Sequence, residues 1–421
     1  MKFDAKACKE VRMEAIRHVA KHEIGQLDKV QNVKNKTKNQ DYSDFIKDGI
    51  DLKNCEVETA LYFYSMYPCL QYNIKSYTDL INEKVIGQQK AVERIVYASY
   101  FNQYLNFVED YTGTKFGKRK SMFLIAPTGC GKSTMLMALE EVFDVPVHRA
   151  NITSVTSAGY VGENVEAMLL GLIDKAKGDV EKAERGILLI DEIDKRIASD
   201  TNDKDVSGKA VQQELLKFFD RGTINVPKSR NGLAGTIEFN TGMLTIIFAG
   251  ACVGLNEIRD KRLGSKKVGF ITSENNDSKS LEYSQEDLIE YGFIPELIGR
   301  IDIIEEFHRL SHQNIIDIIY AKYSSMQEHV KILESLGVEN IVIDGALWEK
   351  VADVVEKSNI GVRELNNIIG KLFYPIMYEA FQHTSTGTCT IDEYGNYTLT
   401  YKKEKKEYKG RGFDFTETFD D

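Results

Sequence analysis

The feature that most constrains this chain is the segment "SMFLIAPTGCGKSTMLMALEEVF", which runs from 121 to 143. A short apolar run predicts a buried strand, the glycine-containing stretch a tight turn, and the run after it a helix. Backbone N–H groups of such a loop surround phosphate at a helix N-terminus, where the helix dipole also favours anions. A chance glycine turn is the alternative, but the strand–loop–helix context counts against it.

The loop predicts specific roles for its residues. Lys132 reaches the β- and γ-phosphates of a nucleotide, and the Ser133 hydroxyl helps to hold Mg²⁺. The usual motif begins with glycine, whereas Ala126 occupies that position here, and we expect binding to survive because alanine is small. The predicted ATP-binding residues of this loop are Pro127, Thr128, Gly129, Cys130, Gly131, Lys132, Ser133 and Thr134.

A second motif, "ILLIDEID" from 187 to 194, places two carboxylates at the end of a buried strand. Asp191 is predicted to orient the Mg²⁺ shell, and Glu192 to activate a water for attack on the γ-phosphate. An acidic cap on the following helix explains one carboxylate but not both beside a phosphate loop. Together the two motifs predict a nucleoside triphosphatase.

The wider pattern predicts an α/β chain in which a parallel-sheet ATPase domain precedes a smaller, mainly helical domain. The runs "SMFLIA", "PVHRA", "GILLID" and "MLTIIFAGA" are typical of buried strands, and amphipathic segments separate them. After about Phe307 we expect one long helix from Ser311 to near Gly337, two further helices and a hairpin at 388–402. The predicted divisions are a helical region of unknown role at 1–67, the large domain at 68–307, the small domain at 308–402 and a flexible tail at 403–421.

Composition narrows the function classes. The net charge of −10 counts against a mainly electrostatic grip on nucleic acid or an anionic membrane. The charged amino-terminal segment has no secretory signal, and the six cysteines form no C-x-x-C pair. We therefore expect a cytoplasmic protein with free thiols, no nucleic-acid partner and no membrane partner.

Several motifs together resemble the ClpX-type AAA+ unfoldases, the ATP-binding subunits of the Clp protease. They are "PTGCGKS", "SAGYVGENVE", "RGILLIDEIDK", "DVSGKAVQQELLK", "YGFIPELIGR" and "GVREL", in the family's order, within about residues 70–385. The resemblance implies an ATP-dependent chaperone that unfolds proteins and feeds them to proteolysis. HslU, a related unfoldase, shares "GYVG" but carries a long insertion that is absent here.

The resemblance also implies roles for individual residues. Val85 and Ile86 match the segment that cradles adenine. Arg300 matches the arginine finger that reaches a neighbouring subunit's nucleotide, which implies a ring, usually a homohexamer. Arg363 matches the sensor arginine through which the small domain detects the γ-phosphate.

Two loops match the segments through which such rings handle protein partners. In "TSAGYVGENVE", Tyr160, Val161 and Gly162 resemble the pore loop that pushes polypeptide through the ring, and a locally packed tyrosine is the alternative. In the polar stretch 261–280, Val268, Gly269 and Phe270 resemble the loop that docks on a ClpP-type peptidase ring. The alternative there is a tripeptide that folds back onto the ATPase surface.

Departures from the family pattern leave other functions open. The amino-terminal zinc-binding motifs are absent, "KSRNGLAG" at 228–235 occupies the region of the family's pore-entrance loop, and the strand before Gly250 offers no polar sensor. The main alternative is a non-proteolytic remodeller of a particular protein assembly. A nucleotide-binding interaction protein with little turnover is a further possibility, which Asp191, Glu192 and Arg300 count against.

Overall fold

A parallel five-stranded sheet organises the first part of the chain in a computed structural model. The strands in this part are β1 (Met122–Ile125), β2 (Val147–Asn151), β3 (Ile187–Asp191), β4 (Thr223–Pro227), β5 (Thr236–Asn240), β6 (Thr245–Gly250) and β7 (Ile303–Glu306). The sheet order is β2–β3–β6–β1–β7, while β4 and β5 form a separate antiparallel pair. The predicted α/β phosphate-loop fold is confirmed.

The structure describes residues 66–71, 74–112, 115–155, 164–197, 206–228, 235–266, 282–358, 360–382, 387–401 and 406–411. These form two compact units. The first holds the described residues up to Ile81 together with Lys90–Ile125 and Leu136–Glu306. The second holds Asn82–Gln89, Ala126–Met135 and the described residues from Phe307 onward.

Position in the sheet explains the composition of each strand. The central strands β1, β3 and β6 are buried along their whole length, as the continuous apolar runs predict. The edge strand β2 buries Val147 and Ala150 but leaves Arg149 and Asn151 exposed. The prediction of a fully buried strand at "PVHRA" is therefore wrong for Arg149, because an edge strand presents one side to solvent.

Helices connect the strands of the first unit. They are α1 (Ile74–Asn82), α2 (Gln89–Thr112), α3 (Lys132–Phe143), α4 (Leu170–Lys175), α5 (Val180–Glu184), α6 (Val206–Leu215), α7 (Leu255–Lys266), α8 (Gln285–Tyr291) and α9 (Pro295–Ile298). The first four residues of α3 belong to the second unit, together with the loop before them. The hydrophobic core of the first unit lies against β1, β3 and β6 and includes Phe123, Leu188 and Phe248.

A buried charge cluster ties α2 to the segment before β1. The Glu109 carboxylate accepts hydrogen bonds from Arg119 Nη2 at 2.8 Å and from Arg221 Nη2 at 2.9 Å. Burial alone raises the pKa of Glu109, but the hydrogen bonds from the two guanidinium groups outweigh it and hold that pKa below its ordinary value. The cluster satisfies an otherwise costly buried carboxylate.

The second unit packs four helices with a four-stranded sheet. The helices are α10 (His312–Tyr320), α11 (Ser325–Ser335), α12 (Gly345–Lys357) and α13 (Val362–Ala380). The strands are β8 (Val338–Ile343), β9 (Gly387–Ile391), β10 (Asn396–Tyr401) and β11 (Lys406–Arg411), in the order β11–β10–β9–β8. Trp348 is almost fully buried in the core of this unit, with Phe373 and Leu399.

One expectation about this unit is wrong, and two others gain structural detail. The long helix expected from Ser311 to Gly337 is two helices, because Ser324 caps α11 by accepting from the Gln327 N–H at 3.2 Å. The hairpin expected at 388–402 is present as β9 and β10, but β8 also pairs with it. The tail predicted to be flexible at 403–421 includes β11, which pairs with β10, and its flexibility stays a prediction.

Candidate active site

The phosphate loop joins β1 to α3 through two glycines in left-handed conformations. Gly129 has φ +77° and Gly131 has φ +102°, which residues with a Cβ adopt only at a cost. The Gly131 carbonyl accepts the Met135 N–H at 2.9 Å, so helical hydrogen bonding begins at once. The N-terminal turn of α3, which carries Lys132 and Ser133, therefore follows directly on the loop, as a phosphate site requires.

Within the second unit, the start of α13 contacts the phosphate loop. The Val362 N–H donates to the Gly129 carbonyl at 3.2 Å, and a methyl group added to Gly129 would lie 2.0 Å from the Ile360 carbonyl oxygen. Arg363 lies in the first turn of α13 and is exposed. The structure thus brings the helix that carries the predicted sensor arginine against the loop expected to hold phosphate.

The segment predicted to cradle adenine also contacts this loop. Val85 is buried, and its Cγ1 atom lies 3.9 Å from the position of a Cβ on Gly131. Gln88 Nε2 donates to the Cys130 carbonyl at 3.3 Å and to the His308 carbonyl at 2.8 Å. Ile86 lies between these two anchored residues. Sequence reasoning missed Gln88, although a glutamine within two residues of a predicted adenine segment was a usable signal.

In the first unit, the two carboxylates stand at the carboxyl end of β3. Asp191 is fully buried, and Glu192 adopts φ 58° and ψ 31° before the 3₁₀ turn Ile193–Arg196. A residue with a side chain in the left-handed region is uncommon and is typical of functional sites. The turn leaves Glu192 half-buried, and its Oε2 atom accepts from Asn151 Nδ2 at 3.2 Å.

Asp191 is engaged at both carboxylate oxygens. Its Oδ1 accepts the Glu192 N–H at 2.8 Å. Its Oδ2 accepts from Arg149 Nε at 2.8 Å and pairs with Arg149 Nη2 at 2.5 Å. Arg149 lies on β2, where Asn151 is in register with Asp191, so its side chain extends along the strand toward the carboxyl edge.

Arg196 connects the turn that carries Glu192 to the segment that follows β2. It donates to the carbonyl oxygens of Ile152 and Thr153, at 3.2 Å and 2.9 Å, and also to that of Val155. Asn151 caps the same short segment by accepting the Thr153 N–H at 2.9 Å. Residues 152–155, which precede the predicted pore loop in the sequence, are therefore hydrogen-bonded to the turn that follows Glu192.

Arg300 lies near the amino-terminal ends of the parallel strands, opposite to the carboxyl ends where Glu192 is found. Its carbonyl oxygen accepts from the Ser121 hydroxyl, immediately before β1, whereas Glu192 follows the end of β3. Met122 is in register with Ile247, and Ile247 is in register with Leu189. Ser121, which Arg300 contacts, is therefore four residues before the level of Glu192, so the two backbones lie about 13 Å apart along the strand direction. Arg300 Nη2 contacts Asp220 at 3.3 Å, while the buried Nη1 has no hydrogen-bond partner among the described residues.

Two groups of predicted residues lie outside the described part of the chain. They are the pore-loop residues Tyr160, Val161 and Gly162, and the docking residues Val268, Gly269 and Phe270. Within the described ranges, no cluster of metal-ligating side chains was found, and no helix is both long and apolar enough to cross a membrane.

Sequence reasoning missed Arg149, Asn151 and Arg196. A signal for the first two was present, since Arg149 lies in a predicted strand and Asn151 follows two residues later, which puts both on one side of an extended chain. Their position next to Asp191 was not available, because it depends on which strand neighbours β3. For Arg196 no sequence signal points to the backbone oxygens that it binds.

Comparison with known proteins agrees with these features. The family model for the AAA domain (Cdc48 subfamily) matches residues 118–304. The ATP-dependent Clp protease ATP-binding subunit ClpX of Borrelia duttonii (strain Ly) is 34% identical over 319 residues, which cover 73% of this chain and 73% of that protein. The subunit of the same name from Treponema denticola is 33% identical over 320 residues, which cover 73% of this chain and 76% of that protein. The chain therefore belongs to the ClpX family of AAA+ proteins, and it is an ATPase.

Proposed function

We propose that this member of the ClpX family is an ATP-driven protein unfoldase that threads polypeptides through the pore of a homohexameric ring and delivers them to a ClpP-type peptidase. The observation that carries the proposal is the similarity to ClpX subunits along 319 aligned residues. The phosphate loop and the carboxylate pair, each formed within its own unit, support the ATPase part.

The residues predicted from the two motifs have the chemistry that a magnesium nucleotide requires. A hydroxyl and a carboxylate are oxygen donors of the kind that Mg²⁺ prefers, and Ser133 and Asp191 supply them. A magnesium ion held by these residues would supply positive charge that offsets the negative charge of the β- and γ-phosphates. Lys132 binds the same phosphates, and Val85 and Ile86 contact the base.

Glu192 is the group that activates the attacking water. Its backbone conformation fixes where the side chain leaves the sheet edge, and Asn151 holds one carboxylate oxygen. A carboxylate held by one amide hydrogen bond keeps acceptor capacity for a water proton. Glu192 thus orients the water, while Arg363 responds to the γ-phosphate from the start of α13.

Arg300 completes the site of a neighbouring copy. Its distance from Glu192 along the sheet supports action in trans, and its buried Nη1 offers a donor that no described residue takes. An arginine that stabilises developing charge on the phosphate contributes strongly to turnover. Assembly into a ring is then a requirement for full ATPase activity.

The ring acts on polypeptide through two loops. Tyr160, flanked by Val161 and Gly162, grips the chain in the pore, and Val268, Gly269 and Phe270 dock on the peptidase ring. These assignments rest on the motif resemblance, and six weak docking contacts acting together are sufficient because multivalency multiplies modest affinities.

The experiment that tests delivery uses a tagged, stable fluorescent protein with ATP and a ClpP-type peptidase. The wild type should degrade the substrate, whereas Phe270→Ala should unfold it without degradation. Phe381→Ala, which removes an exposed aromatic outside the docking loop, is the matched control and should degrade normally. Equal degradation by Phe270→Ala overturns the docking assignment, and unfolding without any peptidase association favours the non-proteolytic remodeller.

A further inference from the structure

The Asp191 carboxylate has a charged partner that the ATPase motif does not require. Arg149 contacts its Oδ2 atom through two nitrogens, at 2.8 Å and 2.5 Å. The Asp191 side chain is 1% exposed, whereas that of Arg149 is 39% exposed. The arginine therefore reaches a buried carboxylate from the solvent side of an edge strand.

The physical role of this pair follows from the cost of burying charge. A carboxylate without a compensating charge is strongly unfavourable in a protein interior. The Glu192 N–H bonds Oδ1 but carries no formal charge, whereas the Arg149 guanidinium brings a positive charge to Oδ2. A magnesium ion associated with Asp191 would supply the same compensation, and two cations that share one carboxylate repel each other.

We infer that Arg149 is a counter-ion of Asp191 when no metal is bound, and that it competes with the magnesium of the nucleotide for this carboxylate. Arg149 is a positioning residue that acts through Asp191. It stabilises the protein without nucleotide and weakens the dependence of ATP binding on Mg²⁺. The inference rests on the proposed role of Asp191 in magnesium binding.

The test measures the magnesium dependence of binding. The affinity of a fluorescent, non-hydrolysable ATP analogue is measured in Mg²⁺ and in EDTA, and the dissociation constant in EDTA is divided by that in Mg²⁺ for each variant. Arg149→Met should raise this ratio by about tenfold, since a like charge next to the metal has been removed. Arg149→Lys should stay near the wild-type ratio, and so should Lys195→Met, which removes an exposed positive charge from the same end of the sheet.

A second measurement separates competition from simple structural support. Without nucleotide, Arg149→Met should melt at a lower temperature than the wild type, because the buried Asp191 carboxylate loses a counter-ion that contacts it through two nitrogens. Adding Asp191→Asn should restore the melting temperature. It should also abolish the effect of Arg149→Met on the magnesium ratio, which is the dissociation constant in EDTA divided by that in Mg²⁺, as a coupled pair requires. A purely structural ion pair would weaken binding equally in Mg²⁺ and in EDTA, and that result would overturn the inference.

The outcomes distinguish this inference from the function on which it rests. If Asp191→Asn lowers the magnesium ratio but Arg149→Met leaves it unchanged or lowers it, the inference is overturned and the role of Asp191 stands. If Asp191→Asn does not change the ratio, the proposed magnesium role of Asp191 fails and the inference fails with it.

Discussion

At the scale of single residues, the backbone conformation of Glu192 bears most directly on the catalytic role that we propose for it. A left-handed, non-glycine residue costs on the order of 1–3 kcal/mol, and it persists where the surrounding structure enforces it. Here the Glu192 N–H bonds Asp191 and the side chain bonds Asn151, so both ends of the residue are held. The left-handed turn at Glu192 directly follows the buried strand β3, and the Glu192 side chain is half-buried.

Replacing Glu192 by glutamine should keep ATP binding and remove hydrolysis. The amide preserves shape and hydrogen bonding but cannot accept a proton, and loss of such a group lowers turnover by about a hundredfold or more. Steady-state phosphate release checks the rate, and binding of a fluorescent nucleotide checks the site. Glu290→Gln, on an exposed face of α8, is the matched control, and near-normal turnover of Glu192→Gln would rule out the assignment.

At the scale of secondary-structure elements, the phosphate loop and the start of α13 approach each other through backbone atoms. Gly129 and Gly361 face one another, with no side chain between them. A glycine is required at 129 both for its positive φ and for this contact.

Gly129→Ala should therefore destabilise the protein more than the positive φ alone explains. Gly178 has a similar φ of +88° but nothing within 4 Å of an added methyl group, so Gly178→Ala measures the conformational cost alone. That cost is about 1–2 kcal/mol. Chemical denaturation of both variants gives the comparison, and equal losses of stability would show that the contact with Ile360 is unimportant.

Arg196→Met should loosen the segment after β2. The variant removes the side-chain hydrogen bonds to three carbonyl oxygens, so the N–H groups of 151–155 should exchange with deuterium faster. Arg309→Met, a change at an exposed arginine of the second unit, should leave this exchange unaltered. Unchanged exchange at 151–155 in Arg196→Met would mean that the carbonyls are held by other groups.

At the scale of the whole molecule, acid stability should depend on the Glu109 cluster. Because the pKa of Glu109 is lower in the folded protein than in the unfolded chain, its contribution is present above the unfolded pKa and is lost as the pH falls through the folded pKa. Glu109→Gln should destabilise the protein at neutral pH by about 3–5 kcal/mol, since two guanidinium groups lose their carboxylate. The free energy of unfolding is measured by chemical denaturation at pH 7 and at a pH below the ordinary pKa range of a glutamate. Between these two pH values, Glu109→Gln should lose less stability than the wild type. Equal losses in the two proteins would contradict the prediction.

Local patterns predicted the phosphate loop, the carboxylate strand and the α/β fold class, because each depends on residues close together in sequence. The contact of Gly129 with Ile360 was not predictable, since it joins residues that lie far apart in the sequence. The same holds for Arg149 with Asp191, which depends on the order of strands in the sheet. In the second unit, β8 was missed because its pairing partner β9 follows only after two intervening helices.

The measurement that tests the central claim most directly is ATP-dependent unfolding of a stable, tagged fluorescent protein, with phosphate release recorded in the same reaction. The account predicts that the wild type destroys the fluorescence only with ATP. It also predicts that Tyr160→Ala continues to hydrolyse ATP while the fluorescence persists, because the pore loop no longer grips the chain. Tyr378→Ala, which removes an exposed tyrosine from α13, should unfold the substrate normally. Unfolding by Tyr160→Ala at the wild-type rate, or no unfolding by a wild type that hydrolyses ATP, would contradict the account.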